Sequence, residues 1–290
     1  MYNKTITHHT RIAIIIAIDC SISMNNWTTL SLTKMHKSEA AALLTNHIID
    51  ELLIRSTRYT EIIDYFDISV IGYSGDGVES LLPDDGFMHI TRLADYMPQP
   101  QCFYLNQRLN DRKMVSTPIT LHPWITPKAC GETPMYEAMI RIKSLARAWT
   151  LHPHNRDSFP PIIINISDGG FSDADNQEML DIAYDIRQTS TSDGKVLFIN
   201  IFLATNHEQR HQSYAFPSKE SFHTNNEDCQ TLYDMSSTLP FEFEPAMREL
   251  LIDEAGGPYK CFAYNNTVSE LFAILDIGTE NSYSLKHNNI

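Results

Sequence analysis

The chain has 290 residues, of which 36 are acidic and 22 are basic, giving a formal net charge of −14. This charge excludes a dedicated nucleic-acid-binding protein, which would normally carry a basic patch. Hydrophobic residues make up 42% and charged residues 20% of the chain, which excludes a disordered protein and leaves ample material for a core. The length fits one enlarged α/β domain or two ordinary ones.

Cysteine usage and apolar runs indicate the compartment. The five cysteines are odd in number and form no C-x-x-C pair, which argues against a disulfide framework. The first apolar run, residues 12–18, is too short to span a bilayer and is followed by no small-residue cleavage site. The sequence therefore predicts a soluble protein of a reducing compartment, most simply the cytoplasm, with no membrane partner.

Apolar runs alternate with helical stripes along the chain. Short β-branched runs predict strands, whereas apolar residues spaced three and four apart predict helices. The predicted strands are residues 12–18, 66–73, 162–166, 196–203 and 260–264, and the predicted helices are 38–55, 133–149, 173–187, 245–255 and 268–275. This alternation predicts an α/β fold: a Rossmann-like, doubly wound, mostly parallel central sheet with helices on both faces.

Two stretches depart from the alternation. Residues 83–129 are rich in proline and aromatic residues, and residues 206–240 are polar and irregular. Long segments of this kind in a compact domain are usually functional loops or small additions. We therefore expect a single domain over residues 10–277 with these two insertions, and flexible termini at residues 1–9 and 278–290.

Oxygen-bearing side chains follow the predicted strands. Asp19, Ser21 and Ser23 form D-x-S-x-S after the first strand, and Asp168 follows a later one. Thr133 precedes a proline and is expected to cap a helix, with that proline at the first helical position. Ligands of open α/β sheets bind outside the carboxyl ends of the strands, and Mg²⁺ prefers oxygen ligands. These five residues are therefore the candidate metal ligands.

Three motifs carry a resemblance to a known family. DCSISM, GETPMYEAM and ISDGGFSD resemble, in order and spacing, the metal-ion-dependent adhesion site (MIDAS) of von Willebrand factor A (vWA) domains, over residues 10–277. The resemblance implies a Rossmann-like fold with one divalent cation, usually Mg²⁺, with Mn²⁺ or Ca²⁺ as alternatives. It implies that Ser21 and Ser23 bind the ion through their hydroxyls and that Thr133 engages according to conformational state. Asp19 and Asp168 would hold ion-bound waters or bind directly.

The donor set indicates a docking function. Two carboxylates balance a divalent ion, which then accepts a further ligand, and a hard cation prefers an anionic oxygen such as a carboxylate from a partner protein. No general base or activated nucleophile is evident beside the site, so we expect a protein-interaction module and no enzymatic turnover. Because the chain is acidic, a partner otherwise rich in Lys and Arg is expected.

A finer resemblance concerns the segment before the GETPM motif. A long insertion that closes with Trp124 resembles bacterial cytoplasmic vWA proteins of the tellurite-resistance-associated kind. Those proteins are often associated with protein phosphatases and serine/threonine kinases. The resemblance therefore implies a phosphatase or kinase partner in bacterial stress or phospho-signalling.

Two enzymatic alternatives arise from the sequence. His207, Glu208 and His211 match H-E-x-x-H, which on a helix would bind zinc with the glutamate as general base of a hydrolase. Its surroundings lack the apolar stripe of a buried helix, which favours a solvated loop. An aspartyl phosphotransferase would use Asp19 as nucleophile, but such enzymes need a second Asp where this chain has Ser21.

Overall fold

The computed structural model describes residues 2, 4, 6–30, 32–75, 77–109, 113–205, 214–243 and 257–264. The strands are β1 (Ile12–Asp19), β2 (Trp27–Leu30), β3 (Thr33–His36), β4 (Thr57–Arg58), β5 (Glu61–Ile62), β6 (Phe66–Ser74), β7 (Gly77–Ser80), β8 (Met88–His89), β9 (Gln101–Leu109), β10 (Lys113–Leu121), β11 (Ile162–Ser167), β12 (Leu197–Phe202), β13 (Tyr214–Ala215) and β14 (Phe262–Tyr264). The helices are α1 (Lys37–Ser56), α2 (Ile90–Ala94), α3 (Met135–Leu151), α4 (Asn176–Gln188) and α5 (Glu227–Met235).

An eight-stranded sheet forms the centre of the molecule. Its order is β13-β14-β12-β11-β1-β6-β7, with β8 also paired to β6. The pairs β1–β6, β1–β11, β11–β12 and β12–β14 are parallel, and those of the edge strands β7, β8 and β13 are antiparallel. From β1 the chain adds β6 on one side and β11 on the other. This topology confirms the predicted doubly wound, mostly parallel α/β class and makes the carboxyl end of β1 the switch point.

Helices cover both faces of β1, which explains its uninterrupted apolar sequence. Ile14 and Ile16 pack into the cluster that holds the buried stripe of α1. Ile15 and Ala17 pack on the opposite face, in the cluster that holds the buried residues of α3, α4 and α5. Side chains alternate between the two faces of a strand, so burial on both sides favours apolar residues at every position, as in β1 from Ile12 to Ile18.

The predicted insertion at 83–129 contains α2 and the antiparallel hairpin β9–β10. Its last part is fixed to α1 by polar contacts. The Asp50 carboxylate accepts hydrogen bonds from the His122 backbone N–H at 2.8 Å and from Trp124 Nε1 at 2.8 Å. The Asn46 side chain bonds to both the N–H and the C=O of Ile125. The segment is therefore held on α1 directly before the GETPM motif.

The expectation of an irregular segment at 206–240 was wrong, because α5 lies within it. Its buried residues include Cys229, Leu232 and Tyr233, a stripe too short to stand out among polar neighbours. The Asn226 side chain accepts a bond from the Cys229 N–H and so caps the helix. The predicted helices 245–255 and 268–275 lie outside the described residues. Within the described part of the chain, no helix is both long and apolar enough to cross a bilayer.

Candidate metal centre

The site begins where the two central strands end. Asp19 is the last residue of β1 and Ser167 is the last residue of the adjacent β11. The Ser167 hydroxyl donates to Asp19 Oδ2 at 3.1 Å, and the Ser21 backbone N–H donates to Asp19 Oδ1 at 2.8 Å. Asp19 is fully buried. Each oxygen keeps a further lone pair, so the carboxylate is oriented without being exhausted as an acceptor.

Ser21 and Ser23 place their hydroxyls together. Their Oγ atoms are hydrogen-bonded to each other across 3.0 Å, and Ser21 is buried whereas Ser23 is half-buried. Neighbouring ligands of an octahedral Mg²⁺ at about 2.1 Å from the ion are separated by about 3.0 Å. The two hydroxyls therefore already have the spacing of one edge of such an octahedron.

Backbone contacts dock the loop that carries Thr133 against the D-x-S-x-S loop. The Cys130 N–H donates to the Cys20 carbonyl at 2.8 Å, and the Ile22 N–H donates to the Gly131 carbonyl at 3.0 Å. Gly131 has a φ of +66°, and a Cβ there would lie 2.7 Å from the Gly75 backbone. Only glycine fits this left-handed conformation and close approach.

Thr133 does not cap α3 as predicted. The helix begins at Met135 with Pro134 at the N-cap. The first free N–H groups, those of Tyr136 and Glu137, donate instead to the Asp173 carboxylate at 3.0 and 2.9 Å. Because a distant aspartate supplies the cap, the Thr133 hydroxyl is not needed for it.

The same contact region ties the Thr133 loop to the loop after β11. The Thr133 N–H donates to Ser172 Oγ at 3.2 Å, and the Ser172 N–H donates to the Thr133 carbonyl at 3.0 Å. Together with the Asp173 cap, these bonds hold the second and third motifs side by side. The structure thus brings the three predicted loops to one edge of the sheet.

Asp168 faces a cation supplied by the chain itself. Lys37 Nζ lies 2.9 Å from Asp168 Oδ2, and the two side chains are only 3% and 8% exposed. A nearly buried carboxylate requires a counter-charge, and here the first residue of α1 provides it. The Lys37 ammonium therefore balances the charge of Asp168.

Burial and a nearby like charge shift the pKa values of side chains at the site. Burial, reinforced by the nearby Asp168 charge, raises the pKa of Asp19 from 3.8 to about 6, although hydrogen bonds from Ser21 and Ser167 oppose this shift. Burial also raises the pKa of the Cys20 thiol to about 12, which agrees with an inert small core residue. Two carboxylates near one another in a buried site favour a bound cation.

A hard divalent cation fits this donor set. The five candidate residues offer two carboxylates and three hydroxyls, all of which are oxygen ligands, and one pair of hydroxyls has octahedral spacing. Within the described ranges no group of three His, Cys, Asp or Glu side chains is arranged to hold a metal. The H-E-x-x-H residues His207, Glu208 and His211 lie outside the described residues.

Three residues that shape the site were not singled out from the sequence. Ser167 orients Asp19, Asp173 caps α3, and Lys37 pairs with Asp168. Ser167 and Asp173 lie in or beside the ISDGGFSD motif, so their proximity could have been anticipated. Lys37 carries no local signal, because a first helical turn favours acidic residues over lysine.

No protein-family model and no curated protein matches the sequence. Among solved structures, the chain is similar to a von Willebrand factor type A protein from Catenulispora acidiphila, at 14% identity and a TM-score of 0.38, covering 66% of this chain and 33% of that one. It is similar to the manganese-loaded Plasmodium vivax TRAP protein, at 11% identity and a TM-score of 0.44, covering 93% and 74%. It is also similar to the SpRpn10 VWA domain, at 12% identity and a TM-score of 0.38, covering 67% and 77%. The chain thus spans about a third of the Catenulispora protein.

Proposed function

We propose that this chain is a vWA-type interaction module that holds one divalent cation, Mg²⁺ by preference, at Asp19, Ser21, Ser23, Thr133 and Asp168. The observation that carries the proposal is the 3.0 Å separation of the two serine hydroxyls beside the oriented Asp19. The ion pair between the Lys37 ammonium and Asp168 supports the proposal, because it shows that positive charge is stabilised in this cluster.

The proposed ligands are of two kinds, charged and neutral. Asp19 and Asp168 supply two negative charges, and the hydroxyls of Ser21, Ser23 and Thr133 supply neutral oxygens. When bound, the cation supplies a Lewis-acidic position for an outside ligand. Since protein charges balance the ion without saturating it, a carboxylate of a protein partner is the preferred outside ligand.

Apolar side chains beside the serines offer further contact to a partner. Ile22, between the two serines, is 61% exposed, and Trp27, just after the loop, is 47% exposed. Exposed large apolar residues close to a polar anchor are typical of interaction surfaces. The −14 charge opposes an acidic partner at long range, so we infer that the partner is basic around its one docking carboxylate.

The setting of this function is likewise proposed from the sequence. A bacterial cytoplasmic role in stress or phospho-signalling, with a phosphatase or serine/threonine kinase as partner, is what the resemblance of the segment closing at Trp124 to tellurite-resistance-associated vWA proteins implies. All five cysteines lie in described parts of the chain and are free of disulfides, which supports a reducing compartment.

Mn²⁺ titration by calorimetry tests the site. We expect one equivalent to bind the wild type and Ser23→Ala to weaken binding at least tenfold, because the hydroxyl is a ligand. Ser192→Ala removes a hydroxyl bonded to the exposed Asp157 and is the matched control, with unchanged affinity. Equal affinities in all three proteins would rule out Ser23 as a ligand and remove the hydroxyl pair on which the proposal rests.

A second measurement tests docking by a carboxylate. Mn²⁺ bound with an open position enhances the relaxation of solvent protons, and acetate serves as the probe. Acetate should displace bound water and lower the enhancement, whereas an equal concentration of chloride should not. An enhancement insensitive to acetate would contradict the docking role.

A further inference from the structure

Lys37 occupies an unfavourable position for a lysine. It is the first residue of α1, where the partial positive charge of the helix disfavours a cation. Its side chain is also buried, with only 3% of its surface exposed. A surface lysine would avoid both costs by extending into water. The contact that offsets them is the 2.9 Å ion pair with Asp168.

Backbone contacts fix Lys37 at the site. The hairpin β2–β3 links the D-x-S-x-S loop to α1. At its base the Lys37 N–H donates to the Asn26 carbonyl at 3.0 Å. The ammonium is therefore positioned by the same loop that carries the serines.

The charges at the site set up a competition. Asp19 and Asp168 contribute two negative charges and Lys37 contributes one positive charge. A divalent cation held by the candidate residues would lie close to Asp168, whose Oδ2 the Lys37 ammonium contacts. Like charges at such separations repel strongly in a buried site.

We propose that Lys37 is a built-in competitor for the divalent cation: its ammonium neutralises Asp168 in the metal-free protein and leaves Asp168 Oδ2 when the ion binds. This inference rests on the proposed function. It makes the site stable without metal and lowers the affinity for metal, so that occupancy follows the concentration of the cation.

Mn²⁺ affinity of Lys37→Met measures the competition. Methionine keeps an unbranched apolar stem and removes the terminal ammonium with its charge, so we expect at least tenfold tighter binding than in the wild type. Lys34→Met is the matched control, because Lys34 is exposed and lies over the Trp27 ring, and its affinity should equal that of the wild type. Equal affinities of Lys37→Met and the wild type would overturn the inference and leave the metal site standing. No binding to any of the proteins would overturn both.

If Lys37→Met fails to fold, a measurement on the wild type tests whether Lys37 leaves Asp168 when Mn²⁺ binds. Reductive methylation, read residue by residue by mass spectrometry, reports how accessible each ammonium is. Labelling of Lys37 should rise severalfold with saturating Mn²⁺, whereas labelling of Lys34 should not change. Unchanged labelling of Lys37 in protein shown by calorimetry to hold Mn²⁺ would overturn the inference.

Discussion

The Ser167 hydroxyl donates a hydrogen bond to Asp19 across 3.1 Å and so joins the carboxyl ends of the two central parallel strands. Ser167 Oγ also accepts the Gly169 N–H at 2.8 Å, which starts the turn of the third loop. One hydroxyl therefore connects the first and third motifs. The candidate site is a consequence of strand order, because residues far apart in sequence meet where β1 and β11 end.

Asp19→Asn should separate metal binding from stability. Asparagine keeps the shape and an acceptor oxygen but removes a charge whose burial is costly. We expect loss of Mn²⁺ binding and, without metal, a gain in the free energy of unfolding on the order of 1–3 kcal/mol at pH 7, from the raised pKa of Asp19. Calorimetry and urea unfolding measure the two quantities. Asp185→Asn, at an exposed ion pair with Lys143, is the control and should change neither by a measurable amount.

The stability difference between these two proteins should depend on pH. The pKa of Asp19 is about 6 in the folded protein against 3.8 as the ordinary value, so between these values the folded state binds more protons than the unfolded state. The stability of the metal-free wild type relative to Asp19→Asn should therefore fall as pH rises from about 4 to 6 and level off above. Urea unfolding at pH 4, 5, 6 and 7 measures this. A difference independent of pH would contradict the raised pKa.

Metal affinity should show the opposite dependence on pH. Protons compete with the cation for Asp19, so Mn²⁺ affinity of the wild type should be constant above about pH 7 and decrease by up to tenfold per unit below about pH 6. Calorimetric titrations across this range check the prediction. Affinity that stays level down to pH 5 would contradict the combination of a raised Asp19 pKa and a role for Asp19 in binding.

Gly131→Ala should disturb the Thr133 loop. The left-handed backbone and the 2.7 Å approach of a Cβ to the Gly75 backbone force the loop to move, so we expect a loss of about 1–3 kcal/mol in stability and weaker Mn²⁺ binding. Gly170→Ala, in the third loop, is the matched control, since a Cβ there meets nothing within 4 Å. Comparable losses in both variants would show that the effect is not specific to the contact with Gly75.

Asp173→Ala should cost stability and metal affinity together. It removes the acceptor of two N–H groups at the start of α3, a loss of about 1 kcal/mol, and leaves only the Ser172 bonds to tie the Thr133 loop to the third motif. Asp175→Ala is the control. It removes the equivalent cap of α4, where the Asp175 carboxylate accepts a 2.9 Å hydrogen bond from the Glu178 N–H and makes no hydrogen bond to the start of α3. Thermal unfolding should show similar losses of stability for both variants. Mn²⁺ titration should show an affinity weakened a few-fold in Asp173→Ala alone.

The central sheet could be predicted from the sequence because its strands are buried on both faces. β1 is apolar from Ile12 to Ile18, and β11 is apolar except for the buried Asn165 and its last residue, Ser167, a pattern that a surface strand would not carry. The polar residues of the site come at or just after the carboxyl ends of these strands, so the position of the site followed from the fold class. Asp19 and Asp168 were found in this way.

Contacts between distant segments could not be predicted in the same way. The cap of α3 comes from Asp173, 36 residues further along the chain, so local residues misled the prediction for Thr133. Lys37 reaches Asp168 only because the hairpin β2–β3 inserts between the serine loop and α1. Its short strands of four residues each carry no apolar alternation that would have marked them.

Diffraction at the manganese absorption edge from a crystal of the wild-type protein soaked in Mn²⁺ tests the metal site most directly. We expect a single anomalous peak about 2.1 Å from the Ser21 and Ser23 hydroxyl oxygens, with Lys37 Nζ moved away from Asp168. A map with no peak at these serines, and with the Lys37–Asp168 pair intact at saturating Mn²⁺, would contradict this expectation.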